Sequence, residues 1–230
     1  VPVVYGMTIG EYAQMILKEG WLNKDANEAY KKIIASRFAS GAKFFQLRVI
    51  TCANYTHESK YVLPMKPSPN IPEIQSVYWY PSHCFFEGTA ISEGRGTDKP
   101  FEWVGHPSLP KNLFNFTPHS TEGAPNPKYK DQVCYGWNVS GTPEEVLKMI
   151  NGRLQLKYLL EAYRLFPDKE NFFNKNNGIN RLAGTDELMQ QIKEGKTEEE
   201  IRASWQPKLD EFKKIRKKYL LYPDFDKSSI

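Results

Sequence analysis

Two glutamates and an arginine lie close together between residues 85 and 98, a segment called the glycine-rich loop below. It holds Glu87, Glu93 and Arg95, with glycines at positions 88, 94 and 96 that let the backbone approach a ligand closely. Neighbouring carboxylates can serve as a general acid and as a base or nucleophile, which glycoside cleavage requires. The alternative is a structural loop in which Arg95 pairs with its own carboxylates.

Glu87 and Glu93 are the predicted catalytic residues. Glu87 follows two phenylalanines, so we expect it to be partly desolvated and its pKa to be raised, as a general acid requires. We expect Glu93, between Ser92 and Gly94, to be more exposed or held by Arg95. Six positions in a glycine-bearing loop leave the distance between the carboxylates open, so the spacing does not choose between retention and inversion.

Four polar side chains are predicted to contact the substrate: Asn70, Ser92, Arg95 and Thr97. The planar fork of Arg95 suits an anionic group because it can bind a carboxylate through two hydrogen bonds. Asn70 lies in a rigid Ser-Pro-Asn corner ahead of the glycine-rich loop, where it is either a ligand contact or a turn-forming residue. Aromatic blocks at residues 77–80 and 101–103 flank the loop and favour a lined pocket.

Other catalytic chemistries find little support in the sequence. There is no G-x-S-x-G motif, and the four histidines lie beside no obvious nucleophile and lack the spacing of metal ligands. Residues 94–97 lack the Gly-Lys-Ser/Thr signature of a phosphate-binding loop. We therefore predict neither a metal nor a cofactor.

The elements that must position these residues are predicted as an alternation of helices and strands, which is typical of an α/β layered domain. The predicted strands are 1–4, 44–52, 133–139 and 220–222. The first predicted helix is capped by Thr8 and Glu11 and ends at Gly20. Further helices are predicted over 27–38 (a weaker helix or an insertion), 74–84 (broken or kinked by Pro81) and 142–165. Three more are predicted to start at residues 184–186, at Thr197 and at Pro207. A proline-rich, irregular connection covers residues 107–129.

Composition sets the broad class. The chain has 230 residues, 40% hydrophobic and 25% charged, which is ordinary for a globular protein of one domain or one and a half. A net charge of +4 is too small to indicate nucleic-acid binding, and no apolar run reaches the roughly 18 residues of a membrane span. The wide spacing of Cys52, Cys84 and Cys134 argues against a zinc site and favours buried thiols, with one disulfide as the alternative.

Five segments of the chain share a pattern with one known family: Tyr5–Glu11, Pro67–Pro72, Cys84–Thr97, Gly178–Thr185 and Arg216–Tyr222. Taken together, they resemble a bacterial family of exo-β-N-acetylmuramidases that was long described as a domain of unknown function. The resemblance extends over nearly the whole chain. It implies a glycoside hydrolase that releases N-acetylmuramic acid from the non-reducing ends of peptidoglycan fragments.

The resemblance also implies a fold and a location. A Rossmann-like α/β domain would be followed by a smaller α+β domain, with the active site in the cleft between them. Residues 1–110 would be the C-terminal part of the first domain, and residues 111–230 would form the second. The resemblance therefore leaves an alternative to Glu87 and Glu93 as catalytic residues, namely a carboxylate in the part of a family member that precedes these residues. Family members imply export to the periplasm or the extracellular space, although this chain shows no signal peptide.

Peptidoglycan-derived sugars are the partners that the resemblance implies. The lactyl carboxylate of muramic acid is a suitable ligand for Arg95, and the flanking aromatic residues suit stacking on a pyranose ring. The alternative from another class is a non-catalytic glycan-binding or interaction module, in which Glu87, Glu93 and Arg95 form a structural ion-pair cluster. An open pocket with an acid facing it would favour the hydrolase, and a closed cluster with every group paired would favour the module.

Overall fold

The structure is a computed structural model that describes residues 2–40 and 47–225, without the side chains of 37–40. Two compact units divide the chain. Of the described residues, unit 1 contains 2–4 and 61–206, and unit 2 contains 5–40, 47–60 and 207–225. These bounds differ from the predicted division at residue 110, which concerned the domains of a longer protein and stays a prediction.

Helices account for most of the regular structure. The α-helices are α1 (Ile9–Lys18), α2 (Lys24–Ser40), α3 (Ile74–His83), α4 (Pro143–Ile150), α5 (Lys157–Leu165), α6 (Gly178–Ala183), α7 (Glu187–Lys193) and α8 (Glu198–Lys217). Short 3₁₀ helices cover Cys84–Gly88 and Lys169–Asn171. Within the part of the chain that the structure describes, no helix is both long and apolar enough to cross a membrane.

Unit 1 contains a three-stranded antiparallel sheet. Its strands are β1 (Trp103–His106), β2 (Phe114–Phe116) and β3 (Cys134–Asn138), in the order β1-β3-β2. Gly105 and Gly136 face each other across β1 and β3, where a Cβ on Gly105 would lie 2.5 Å from the Tyr135 carbonyl oxygen. The protein therefore has a mixed helix and small-sheet fold, which is consistent with the predicted α/β class, whereas Rossmann-like layering is not confirmed by these elements.

The core of unit 1 joins the start of the glycine-rich loop to the C-terminal helices. Phe85 and Phe86 are almost fully buried and pack with Leu159, Phe172 and Ile179 in one apolar cluster. Burial of a phenylalanine side chain contributes roughly 2–3 kcal/mol to folding. The two phenylalanines therefore anchor the segment that carries Glu87.

Helix starts agree with the predicted caps. Thr8 and Glu11 form a reciprocal capping box at α1, and Thr142 and Glu145 form another at α4. Thr197 caps α8, where its backbone amide donates to Glu200 at 2.7 Å. Because these bonds join residues three positions apart, their spacing in the sequence is sufficient to specify them.

Three strand predictions are wrong where the structure describes the residues. Residues 2–4, 47–52 and 220–222 form no strand, while residues 1 and 44–46 lie outside the described residues. Ile50 is 82% exposed, so the apolar run around it does not enter a sheet. A strand requires a neighbour to pair its backbone groups, and an apolar run alone does not supply one.

Two helix predictions are also corrected. The helix predicted over 142–165 is two helices, because Asn151 adopts a left-handed conformation (φ 48°) at the end of α4 and Gly152 follows with φ 59°. Pro207 does not open a new helix but lies within α8. The helix predicted over 74–84 was expected to be broken or kinked at Pro81, and α3 is not broken there, because Pro81 lies inside it. By contrast, β3 lies within the predicted strand 133–139.

Unit 2 brings the two ends of the sequence together at Glu11. This carboxylate is fully buried and accepts hydrogen bonds from the amides of Thr8 (2.7 Å) and Leu221 (2.6 Å), and it contacts His57 Nε2 at 3.1 Å. Although burial opposes ionisation, these hydrogen bonds hold the pKa of Glu11 below its ordinary value. Glu11 thus links α1, the 52–60 segment and the C-terminal tail.

The cysteines are not joined by a disulfide. Cys84 and Cys134 are buried, as predicted, and burial raises the pKa of both thiols to about 12. Cys52 is exposed, so the prediction of three buried thiols is wrong at this position.

Candidate functional site

The glycine-rich loop begins where α3 passes into the Cys84–Gly88 3₁₀ helix. A Cβ on Gly88 would lie 2.4 Å from the backbone nitrogen of Ile179, at the start of α6. Glycine is therefore required for α6 to pack against the 3₁₀ helix. The packing on one side and the buried phenylalanines on the other fix the position of Glu87.

Arg95 binds both predicted catalytic carboxylates. Its Nη1 donates to Glu93 Oε1 at 2.7 Å, and its Nη2 donates to Glu87 Oε2 at 3.0 Å. The guanidinium carbon also lies 5.1 Å from the centre of the Phe101 ring. The structure therefore brings Glu87, Glu93 and Arg95 together, and the two carboxylates flank a single guanidinium.

Lys128 is the fourth charged member of this cluster. Its Nζ donates to Glu93 Oε2 at 3.0 Å, and to the carbonyl oxygens of Phe86, Thr89 and Ile91 at 2.9–3.1 Å. Sequence reasoning missed Lys128, because it lies 35 residues from Glu93 in a proline-flanked segment without a recognisable motif. The cluster thus contains two carboxyl groups and two basic groups.

Glu93 is buried, with only 3% of its surface exposed. Burial by itself would raise the pKa of its carboxyl group, but the charges and hydrogen bonds of Lys128 and Arg95 outweigh that effect and hold the pKa below its ordinary value. Arg95 holds Glu93, as predicted, whereas greater exposure is ruled out. Glu93 is therefore ionised at neutral pH.

Glu87 differs from Glu93 because only one of its oxygens is paired. Its Oε1 is buried and has no hydrogen-bond partner in the described part of the structure, while a quarter of the whole side chain is exposed. Tyr80 lies nearby, and burial, the Glu87 charge and a hydrogen-bonding interaction with the Glu87 side chain raise the pKa of its hydroxyl group. Buried polar atoms without a partner are rare, so this oxygen is a candidate for chemistry.

An open pocket of about 560 Å³ lies against the cluster. Glu93, Arg95 and Lys128 form its charged wall, Asn70 lies on the wall as well, and residues 123–127 complete it. Only about 30% of the Arg95 side chain is exposed. Two of its five N–H groups bind carboxylates, and the other three have no acceptor among the described residues. Arg95 can therefore donate to a ligand in this pocket without leaving Glu87 or Glu93.

The remaining predicted substrate contacts differ in their surroundings. Asn70 donates from Nδ2 to the Gly123 carbonyl at 2.7 Å, which holds it at the pocket wall. Ser92 Oγ accepts from the Gly94 amide at 3.2 Å, and Thr97 Oγ1 donates to the Gly94 carbonyl at 2.7 Å. Both hydroxyls thus bond within the glycine-rich loop, and their predicted contact with substrate stays a prediction.

A second, larger pocket of about 700 Å³ lies in unit 1, away from these carboxylates. Its lining comes from α5 and from residues 192–199 at the turn between α7 and α8. No predicted site residue lies on its wall. Across the described residues, no three His, Cys, Asp or Glu side chains gather as a metal site would.

Two family models match the chain. The model of the N-terminal domain of the exo-β-N-acetylmuramidase NamZ matches residues 1–75, and the model of its C-terminal domain matches residues 78–222. The peptidoglycan β-N-acetylmuramidase NamZ of Bacillus subtilis (strain 168) is 30% identical over 239 aligned positions, which cover 96% of this chain and 51% of the relative. The chain thus spans about half the length of that relative.

Two crystal structures of DUF1343 family proteins from Bacteroides fragilis are similar to this chain. One is 38% identical with a TM-score of 0.77, and the match covers 96% of this chain and 56% of that protein. The other is 20% identical with a TM-score of 0.60, covers 95% and 57% respectively, and shows a shared fold.

Proposed function

This chain belongs to the exo-β-N-acetylmuramidase NamZ family, and we propose from that premise that it is part of a glycosidase acting on peptidoglycan. Its substrates would be fragments that carry N-acetylmuramic acid at the non-reducing end. The proposal includes a Rossmann-like domain completed by residues 1–110, a smaller α+β domain from residue 111, and export from the cell.

The observation that carries this proposal is the pocket beside Arg95. N-Acetylmuramic acid differs from N-acetylglucosamine by a lactyl ether that ends in a carboxylate. A carboxylate in the pocket would accept the N–H groups of Arg95 that have no acceptor among the described residues, in the bidentate manner that guanidinium groups favour. The Asn70 side chain on the same wall supplies an amide oxygen for sugar hydroxyl groups.

Glu87 and Glu93 are the proposed catalytic pair. Glu87 Oε1 has no close hydrogen-bond partner among the described residues, which supports a role as the oxygen that carries a proton to the leaving group. Glu93 is held ionised by Lys128 and Arg95, which supports a role as the carboxylate that activates water or stabilises positive charge on the sugar ring. Arg95 between them would offset the repulsion of two carboxylates.

Hydrolysis of a chromogenic β-N-acetylmuramide by the intact protein tests this assignment. We expect Glu87→Gln and Glu93→Gln each to lower kcat by at least about 100-fold, because an amide can neither exchange the proton nor carry the charge. Glu194→Gln is the matched control, since Glu194 forms an exposed ion pair with Lys196 at 3.1 Å. Near-full activity in both site variants, with unchanged folding, would remove the two carboxylates from catalysis.

A second candidate function is a non-catalytic glycan-binding module. It is favoured by one observation, namely that Glu93 is buried and both its oxygens are paired, as in a structural ion-pair cluster. This candidate predicts that N-acetylmuramic acid binds with an affinity that depends on Arg95 while the intact wild-type protein shows no turnover. Measurable turnover by the wild type would exclude it.

A further inference from the structure

We propose that Lys128 is the positioning residue of this site, because its ammonium group ties together four oxygen atoms of the segment that carries Glu87 and Glu93. The inference deepens the proposed function and rests on it for the identity of the substrate. These four oxygen atoms, called the cage below, belong to residues 86–93, and their contacts with Lys128 do not depend on the substrate.

All the hydrogen-bonding capacity of Lys128 is committed to the cage. An ammonium group has three N–H donors, and here four oxygens lie between 2.9 and 3.1 Å from Nζ. Lys128 therefore has no donor left for a substrate, although it lies on the pocket wall. Arg95 is the opposite case, since three of its N–H groups have no acceptor in the described part of the chain.

Lys128 acts on Arg95 through Glu93. One oxygen of Glu93 is held by Lys128 and the other by Arg95, so the Glu93 carboxylate, together with Glu87, sets the position of the guanidinium. Tyr129 strengthens the same attachment, because its hydroxyl group donates to the Ala90 carbonyl at 2.5 Å. Two consecutive residues thus fix a segment that lies 35–42 positions earlier in the chain.

Removal of the ammonium group would leave three carbonyl oxygens and Glu93 Oε2 facing one another without the cation that they share. Their mutual repulsion would spread the segment and release Glu93, so that Arg95 would no longer point into the pocket. A small cation of the right size could restore the cage. Rescue by an added alkylammonium ion is therefore a result that a general loss of packing would not produce.

The test compares Lys128→Ala with the wild type in the intact protein. We expect KM for a β-N-acetylmuramide to rise at least about tenfold, which corresponds to about 1.4 kcal/mol of binding, with a smaller effect on the matching β-N-acetylglucosaminide. Ethylammonium ion should reverse most of the change. Lys169→Ala is the matched control, because Lys169 also binds three backbone carbonyls, those of Tyr163, Arg164 and Phe166 at the end of α5.

A second measurement does not depend on turnover. Hydrogen exchange at the amides of Thr89, Ala90 and Ser92 should accelerate in Lys128→Ala and slow again with ethylammonium, whether or not the protein is a muramidase. Lys128→Arg should also exchange faster, because a planar guanidinium does not fit a cage built around an ammonium group. Unchanged exchange in both variants, or loss of function on both substrates without rescue, would overturn the proposal. Absence of turnover in the wild type would instead refute the proposed function.

Discussion

Arg95 and Lys128 carry the same charge and touch the same carboxylate, yet the geometry gives them different tasks. Lys128 shares three donors among four acceptors, whereas Arg95 holds two carboxylates and has further donors to offer. Burial of an ionised group is costly unless it is paired, and Glu93 meets that condition through both cations. A cation can therefore bind a ligand only if some of its N–H groups remain free, and a cation whose N–H groups are all bound to the protein can only position other residues.

The task assigned to Arg95 leads to a prediction about substrate preference. Arg95→Ala should raise KM for a β-N-acetylmuramide by at least about tenfold and leave the KM of a β-N-acetylglucosaminide within about twofold, since only the first has a lactyl carboxylate. Initial rates with paired chromogenic substrates measure both constants. Equal losses on the two substrates would contradict the carboxylate role.

A second residue-scale prediction concerns pH and His83. This ring is fully buried, stacks on Trp79 with 4.6 Å between ring centres, and hydrogen-bonds the Phe101 carbonyl at 2.6 Å. Burial lowers its pKa from 6.5 to about 4, so between these values the unfolded chain binds a proton that the folded protein does not. The free energy of unfolding should therefore fall by about 2 kcal/mol between about pH 7 and about pH 4.5 on account of this residue.

Denaturant unfolding of the wild type and His83→Asn at about pH 7 and about pH 4.5 measures this change in the free energy of unfolding. The variant should lose that part of the pH dependence, because its amide does not titrate. His119→Asn is the control, since the His119 side chain is 65% exposed and pairs with Asp131 on the surface. The pKa of His106 is also lowered to about 4 by burial, but this residue contributes equally to the pH dependence of the wild type and both variants. An identical pH dependence in wild type and His83→Asn would count against the prediction.

At the scale of elements, the sequence predicted local hydrogen bonds correctly but did not predict long-range packing. The capping boxes at Thr8 and Thr142 join residues three apart, and both are present. The apolar run at 47–52 forms no strand, because the described chain brings no strand beside it. The contact between Gly88 and α6 joins segments about 90 residues apart, and nothing in the sequence around Gly88 indicates which element approaches it.

That contact yields a prediction about the 3₁₀ helix. Gly88→Ala should lower the free energy of unfolding by about 2 kcal/mol or more and reduce activity, because its Cβ would lie 2.4 Å from the Ile179 backbone nitrogen and displace Glu87. Gly178→Ala tests the same interface with little strain, since its Cβ would meet only a side-chain oxygen at 3.2 Å and the Gly88 Cα at 3.4 Å. Thermal unfolding of both variants gives the comparison, and similar stabilities would refute the packing explanation.

At the scale of the whole molecule, unit 2 is assembled from two segments that are far apart in the chain. Arg216 is 8% exposed, donates to the Gly6 carbonyl, and forms a bidentate pair with Asp224 at 2.7 and 2.8 Å. The matches to the N-terminal and C-terminal family models meet at residues 75–78, whereas the end of the second match lies in unit 2. The bounds of the family models and of the compact units therefore differ.

Unit 2 should lose stability when Arg216 is removed. Arg216→Ala should lower its free energy of unfolding by about 2 kcal/mol, because charged hydrogen bonds to Gly6 and Asp224 are lost. Lys217→Ala, at an exposed neighbouring position in α8, is the control. Hydrogen exchange at the amides of α1 should accelerate only in the first variant, with the amides of β3 in unit 1 as the internal reference. Unchanged protection of α1 would show that Arg216 does not hold the segments together.

The sequence by itself determined the features that depend on nearby residues. It located the glycine-rich loop, the caps of three helices and the strand that became β3, and it gave the pairing of Arg95 with its carboxylates as one of two alternatives. It was also sufficient to identify the family, because ordered motifs over nearly the whole chain resemble those of one family. The helix caps follow from spacing, since hydrogen bonds between residues a few positions apart do not depend on how distant parts of the chain fold.

Only the tertiary structure decided which distant groups meet. Lys128 reaches Glu93 across 35 positions, and the Leu221 amide reaches Glu11 across 210. It also decided that Glu93 is buried and that one oxygen of Glu87 has no partner among the described residues. The physical reason is that burial and long-range pairing depend on the path of the whole chain, which single residues and their neighbours do not specify.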